Sequence, residues 1–123
     1  MKHFTVNLNG EDVNLRLTSE DAIKIEKNYN VKLFDYIGDS SMTSIINLLR
    51  YMLQGGKGQT VSQPEAHQFF DKLVDEGWKV EQIVMDIILP TAEVSGLLTQ
   101  SDLQMAKDMT EQNKAQKQAT LSQ

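Results

Sequence analysis

Asn9-Gly10 is the feature that most restricts this chain. The stretch HFTVNLNGEDVNLRLT alternates apolar and polar residues on both sides of that dipeptide. Asn-Gly supplies the two positive φ angles of a tight two-residue turn, and period-two alternation belongs to strands with one covered face. With the turn there, Leu8 faces Glu11, Val6 faces Val13 and Phe4 faces Leu15. The apolar set Phe4, Val6, Leu8, Val13, Leu15 and Leu17 then shares one side. A hairpin alone is marginal in water, so that side demands cover, most simply from helices that follow.

Helical patterns do follow. In TSEDAIKIEKNYN, Thr18 or Ser19 can cap a helix over roughly 19–29, with Glu20 and Asp21 at the positive end of its dipole. VKLFDYIGDSS reads as an irregular or short helical connector anchored by Leu33, Phe34 and Ile37. Ser40 or Ser41 starts the next helix, whose Ile45, Ile46, Leu49, Met52 and Leu53 form a stripe. A third helix carries Ala66, Phe69, Phe70, Leu73 and Val74, and a fourth Val80, Ile83, Val84, Ile87 and Ile88. Gly77 separates them, with Trp78 at the corner or on a partner surface. Pro90 is expected to end or kink the fourth helix, TAEVSGLL forming one more turn or short helix. The expectation is an α+β fold, mostly helical: an N-terminal β-hairpin packed against a bundle of about four helices over residues 1–100.

The stretch MLQGGKGQTVSQPEA superficially resembles a phosphate loop. Such a loop spells G-x-x-x-x-G-K-[ST] and leaves a strand to open a helix, so that backbone N–H groups, the lysine and a hydroxyl converge on phosphate. Here Gly58 follows Lys57, Thr60 comes two residues late and the preceding segment is helical. The reading is a hinge, with Gly55-Gly56 ending one helix and the S-x-x-E box of Ser62 and Glu65, with Pro64 in the first turn, starting the next.

Other chemistry is sparse. With no cysteine, disulfides, thiolate zinc sites and Cys–His catalysis are closed to this chain. His3 and His67 lack a helical metal partner, and Asp71, Asp75 and Glu76 read as a solvated acidic face. No catalytic residue, cofactor or metal ligand is assigned, and the chain is not expected to be an enzyme. The competing enzyme reading is a nucleotide site built on Lys57. Twelve scattered Lys and Arg against 17 Asp and Glu, a net charge of −5, speak against nucleic acid. No stretch approaches the roughly 18 apolar residues of a membrane span, and MKHFTVNLNG lacks a signal peptide's apolar run, so an intracellular chain is expected.

From Ser101 the texture changes. SDLQMAKDMTEQNKAQKQATLSQ carries three acids and three bases, so the net charge resides in residues 1–100. Its weak stripe of Leu103, Ala106 and Met109 suits a helical or disordered tail over 101–123, either a frayed terminus or a segment that docks in a groove on another chain. Trp78, Leu103, Met105 and Met109 are the candidate partner-binding residues. Flexible methionines, Met42, Met52 and Met85 among them, adapt to varied client surfaces, although Met52 falls on a core stripe. An exposed helix without a client also favours self-association.

FTVNLNGEDVNLRLTSEDAIKIEKNYNVKLFDYI, then INLLRYMLQGG, EAHQFFDKLVDEGW and QIVMDIILPTAEVSG, resemble the tail assembly chaperones of long-tailed phages and prophages of Gram-positive bacteria. The likeness covers about residues 3–98. It lies in the order of elements and in diffuse apolar and glycine positions. The resemblance implies a protein that binds the tape measure protein, keeps that long helical chain soluble, and helps bring tail tube subunits to it. It further implies a place in the host cytoplasm and absence from the mature virion. The alternative is a structural or completion protein retained in the phage tail.

Overall fold

The computed structural model describes residues 2–108. β1 (Phe4–Leu8) and β2 (Glu11–Leu15) pair antiparallel in the expected register, Phe4 with Leu15, Val6 with Val13 and Leu8 with Glu11. Asn9 and Gly10 hold φ of 54° and 84°, as a two-residue turn of this hand requires. Val6, Leu8, Leu15 and Leu17 are buried, with Phe4 and Val13 packed against the same core.

Helices α1 (Ser19–Tyr29), α2 (Leu33–Asp39), α3 (Met42–Lys57) and α4 (Gln63–Asp75) follow, each beginning where the chain offers a start signal or an extended residue. Thr18 caps α1 by accepting from Asp21 N–H, Ser41 caps α3 by accepting from Ser44 N–H, and Ser62 caps α4 by accepting from Glu65 N–H. The whole stripe of α3 is buried, and Leu49 and Met52 have no exposure at all. The connector after α1 is the short helix α2, which buries Leu33, Tyr36 and Ile37, while Phe34 is only partly covered.

The glycine pair departs from expectation. Gly55 and Gly56 do not end α3; the helix runs on through Lys57, and Gly58, with φ of 70°, is the left-handed terminator. Gly55 and Gly56 instead let α3 touch the hairpin. A Cβ on Gly55 would overlap the carbonyl oxygen of Arg16, and one on Gly56 the carbonyl oxygen of Asn14. Their Cα–H groups therefore face the outward carbonyls of Asn14 in β2 and Arg16 just past it, the weak C–H···O contact that replaces a missing neighbouring strand. Arg16 N–H, on the same edge, donates to Met52 C=O at 3.0 Å.

Pro90, expected to end or kink the fourth helix, does not end it. α5 (Val80–Ile83), a π-helical turn (Val84–Ile88) and α6 (Leu89–Val94) form one continuous helical run. Proline has no N–H and its ring crowds the carbonyl four residues back. The turn ahead of it absorbs this by widening, with Leu89 N–H bonding to Val84 C=O. The wide turn keeps Ile83, Ile87, Ile88 and Ala92 fully buried across the proline. Two stripe positions are not core: Val74 is 44% exposed and Val80 37%, since both lie at helix ends around the Gly77 corner where the neighbouring helices no longer reach.

α6 is tied to the end of the hairpin. Leu17 N–H donates to Ser95 Oγ at 3.0 Å, and Ser95 Oγ donates to Thr91 C=O. Residues 100–108 are helical and start at Thr99, whose Oγ1 accepts from Asp102 N–H while Asp102 Oδ2 accepts from Thr99 N–H. The remainder of the 101–123 tail lies outside the described residues. No helix among the described residues is long and apolar enough to cross a membrane.

Candidate functional site

The close seat of α3 on β2 leaves a groove of about 680 Å³ where the hairpin turn overhangs α4. One wall is Leu8, Asn9, Glu11, Asp12, Val13 and Asn14. The floor comes from Leu53, Gly56 and Lys57 at the end of α3. The far wall is Glu65, Gln68, Phe69 and Lys72 of α4, which stand at i, i+3, i+4 and i+7 and so share one helix face.

The groove is amphipathic. Leu8, Leu53 and Phe69 are buried at its base beside partly covered Val13 and Gly56. Its rim carries both signs of charge, Glu11, Asp12 and Glu65 against Lys57 and Lys72. Lys57 Nζ stands 4.0 Å from Glu65 Oε2, with both side chains close to half exposed, a pair that adds little stability and is easily exchanged for an incoming charge. The turn above is held down: Asn9 N–H donates to Glu76 Oε1 at 2.6 Å, which joins the hairpin tip to the C-terminal cap of α4. Asn7 Nδ2 donates to Asp12 Oδ1 and Thr5 Oγ1 to Asn14 Oδ1 across the outer face of the hairpin.

A second polar cluster sits inside the helices. Asn47, buried on α3, donates through Nδ2 to Tyr29 Oη at 2.7 Å and to Tyr36 Oη at 3.2 Å, and accepts through Oδ1 from Gln63 Nε2 at 2.9 Å. The two tyrosine rings stack at 4.7 Å. One amide thus joins α1, α2, α3 and the first residue of α4. Burial is the main reason the Tyr36 phenol is pushed up from 10.0 to about 12.

Of the residues singled out from the sequence, Trp78 is half-buried and packs against the core at the corner between α4 and α5. Leu103 is partly covered, Met105 is 53% exposed on the helical segment 100–108, and Met109 lies outside the described residues. The structure does not bring Trp78 and the 100–108 segment together with the groove lining. Met42 is 49% exposed, whereas Met52 is fully buried, as its stripe position requires. His3 and His67 are exposed. No group of three or more His, Asp or Glu side chains that could hold a metal occurs among the described residues. The i, i+3, i+4, i+7 set on α4 was open to discovery by periodicity, but Glu65 and Lys72 read as ordinary solvated positions without the hairpin opposite them.

No protein-family model, curated protein or solved structure matches this chain.

Proposed function

We propose that this protein is a phage tail assembly chaperone whose groove between the hairpin turn and α4 receives a helical segment of the tape measure protein and keeps that protein soluble. The observation that carries the reading is the groove itself, with an apolar base of Leu8, Leu53 and Phe69 under a rim of mixed charge. A client helix laid there would bury its apolar stripe and pair its flanking charges at the rim. The net charge of −5 supports the same role, because it keeps a protein with exposed Met42 and Met105 soluble while its client is loaded. The resemblance in the order of elements over about residues 3–98 supplies the identity of the client. Tail tube subunits are the second partner in this reading, the host cytoplasm its place, and the mature virion lacks the protein. The fold acts by contact, without catalysis or cofactor.

The test is a refolding assay. Denatured tape measure protein is diluted into buffer with the chain or with its Lys57→Glu, Lys72→Glu variant, and light scattering is followed. The wild type should suppress scattering in proportion to its concentration and the variant should suppress it less. Equal suppression by both moves the client surface away from the groove, and no suppression by either removes the chaperone function.

A further inference from the structure

The two edges of the hairpin are treated differently. In a hairpin closed by a two-residue turn, Leu8 and Glu11 exchange backbone hydrogen bonds, and the alternation continues with Val6–Val13 and Phe4–Leu15. The N–H and C=O groups of the intervening residues point away from the partner strand. At the end of β2 and just beyond it, the outward groups of Asn14 and Arg16 meet α3, through Met52 and the Cα–H faces of Gly55 and Gly56. On β1 they belong to Thr5 and Asn7, which are exposed, and no backbone group among the described residues bonds to them. From Phe4 to Leu8 the edge carries no charge, no proline and no bulge, and α6, which approaches β1, leaves Thr5 and Asn7 exposed.

We propose that β1 pairs antiparallel with β1 of a second copy of this chain, about a two-fold axis beside Val6, to make a continuous four-stranded sheet. Thr5 of each copy then exchanges backbone hydrogen bonds with Asn7 of the other, and Phe4 lies opposite Leu8. The side-chain period is preserved, so the apolar residues of both hairpins remain on one face. The charges choose the orientation. The open end of the hairpin carries Lys2, His3 and Arg16, and the turn end carries Glu11, Asp12 and the Glu76 carboxylate bound to Asn9. Antiparallel pairing sets the basic end of each copy beside the acidic end of the other. A parallel arrangement would set like against like. Half-buried Phe4 gains cover at the same time.

Light scattering behind gel filtration should give the wild type twice the 13.9 kDa mass of one chain at high micromolar concentration. Thr5→Pro deletes an outward N–H that the protomer itself does not use, and proline is tolerated at such edge positions. It should raise the dimer dissociation constant by at least about tenfold while leaving the circular dichroism spectrum unchanged. Lys2→Glu offers an independent reading should Thr5→Pro fail to fold: it should weaken the dimer, and adding Glu11→Lys in the same chain should restore it. A monomeric wild type overturns the proposal. So does a folded Thr5→Pro variant of wild-type mass, or a Lys2→Glu defect that Glu11→Lys does not repair.

Discussion

Gly56 lies against the carbonyl oxygen of Asn14 with no room for a side chain between them, so the last turn of α3 and the end of β2 are in backbone contact. The contact joins the sheet to the helices and also shapes the groove, since Gly56 is part of its floor. Alanine is favoured over glycine within a helix by about 1 kcal/mol, so Gly56→Ala should stabilise α3 if the helix alone mattered. The obstruction is backbone and cannot rotate aside. Gly56→Ala is therefore expected to destabilise the fold by about 2 kcal/mol, read as a lower urea midpoint, and a higher midpoint would disprove the contact.

Gly10 presents the opposite case, a glycine in open space whose constraint is conformational. Its φ of 84° suits glycine and opposes a β-branched side chain. Gly10→Val should cost roughly 1–3 kcal/mol. Chemical denaturation measures this directly, and an unchanged midpoint would mean that the turn tolerates another conformation.

Asn47 makes three hydrogen bonds from a nearly solvent-free position. Asn47→Leu leaves the buried Tyr36 hydroxyl without that donor and should cost about 1–3 kcal/mol. The same cluster predicts an alkaline limit. Tyr36 titrates near 10 when unfolded and about 12 when folded, so the fold favours the neutral phenol. Stability from this source is complete below about pH 10 and is lost as the pH rises toward about 12, because the unfolded chain releases its proton first. Urea midpoints compared between about pH 9 and about pH 11 should fall less in Tyr36→Phe than in the wild type.

Lys57 sits at the rim of the groove beside Glu65, not in a phosphate cradle. Lys57→Ala should change stability by no more than about 0.5 kcal/mol. Calorimetry with ATP or GTP should register no binding to either form. Micromolar binding by the wild type, abolished in the variant, would reinstate a nucleotide site.

The hairpin was legible because its determinants are local: Asn9-Gly10 sets the turn, and the alternation around it sets the register. The helix start at Ser62 was legible for the same reason, and those at Thr18 and Ser41 to within one residue, Ser19 and Ser40 offering the same hydroxyl. Gly55 and Gly56 were misread, since a glycine that ends a helix and one that admits a neighbouring backbone look alike until the neighbour is in place. That Pro90 disturbs the fourth helix was legible, but not that a widened turn carries the helix past it, which depends on the buried isoleucines around it. The groove could not be seen from any one stretch, since residues 8–14, 53–57 and 65–72 meet only in the fold. Asn47 gave no sign of its partners, each of which lies on a different helix.

The central claim is that this chain holds the tape measure protein, and co-expression of the two in a bacterial host followed by gel filtration tests it most directly. The account predicts a higher soluble yield of the tape measure protein and a complex that survives the column, weakened by the Lys57→Glu, Lys72→Glu substitution in the groove. Tape measure protein that remains insoluble, with the chain eluting alone, would contradict it.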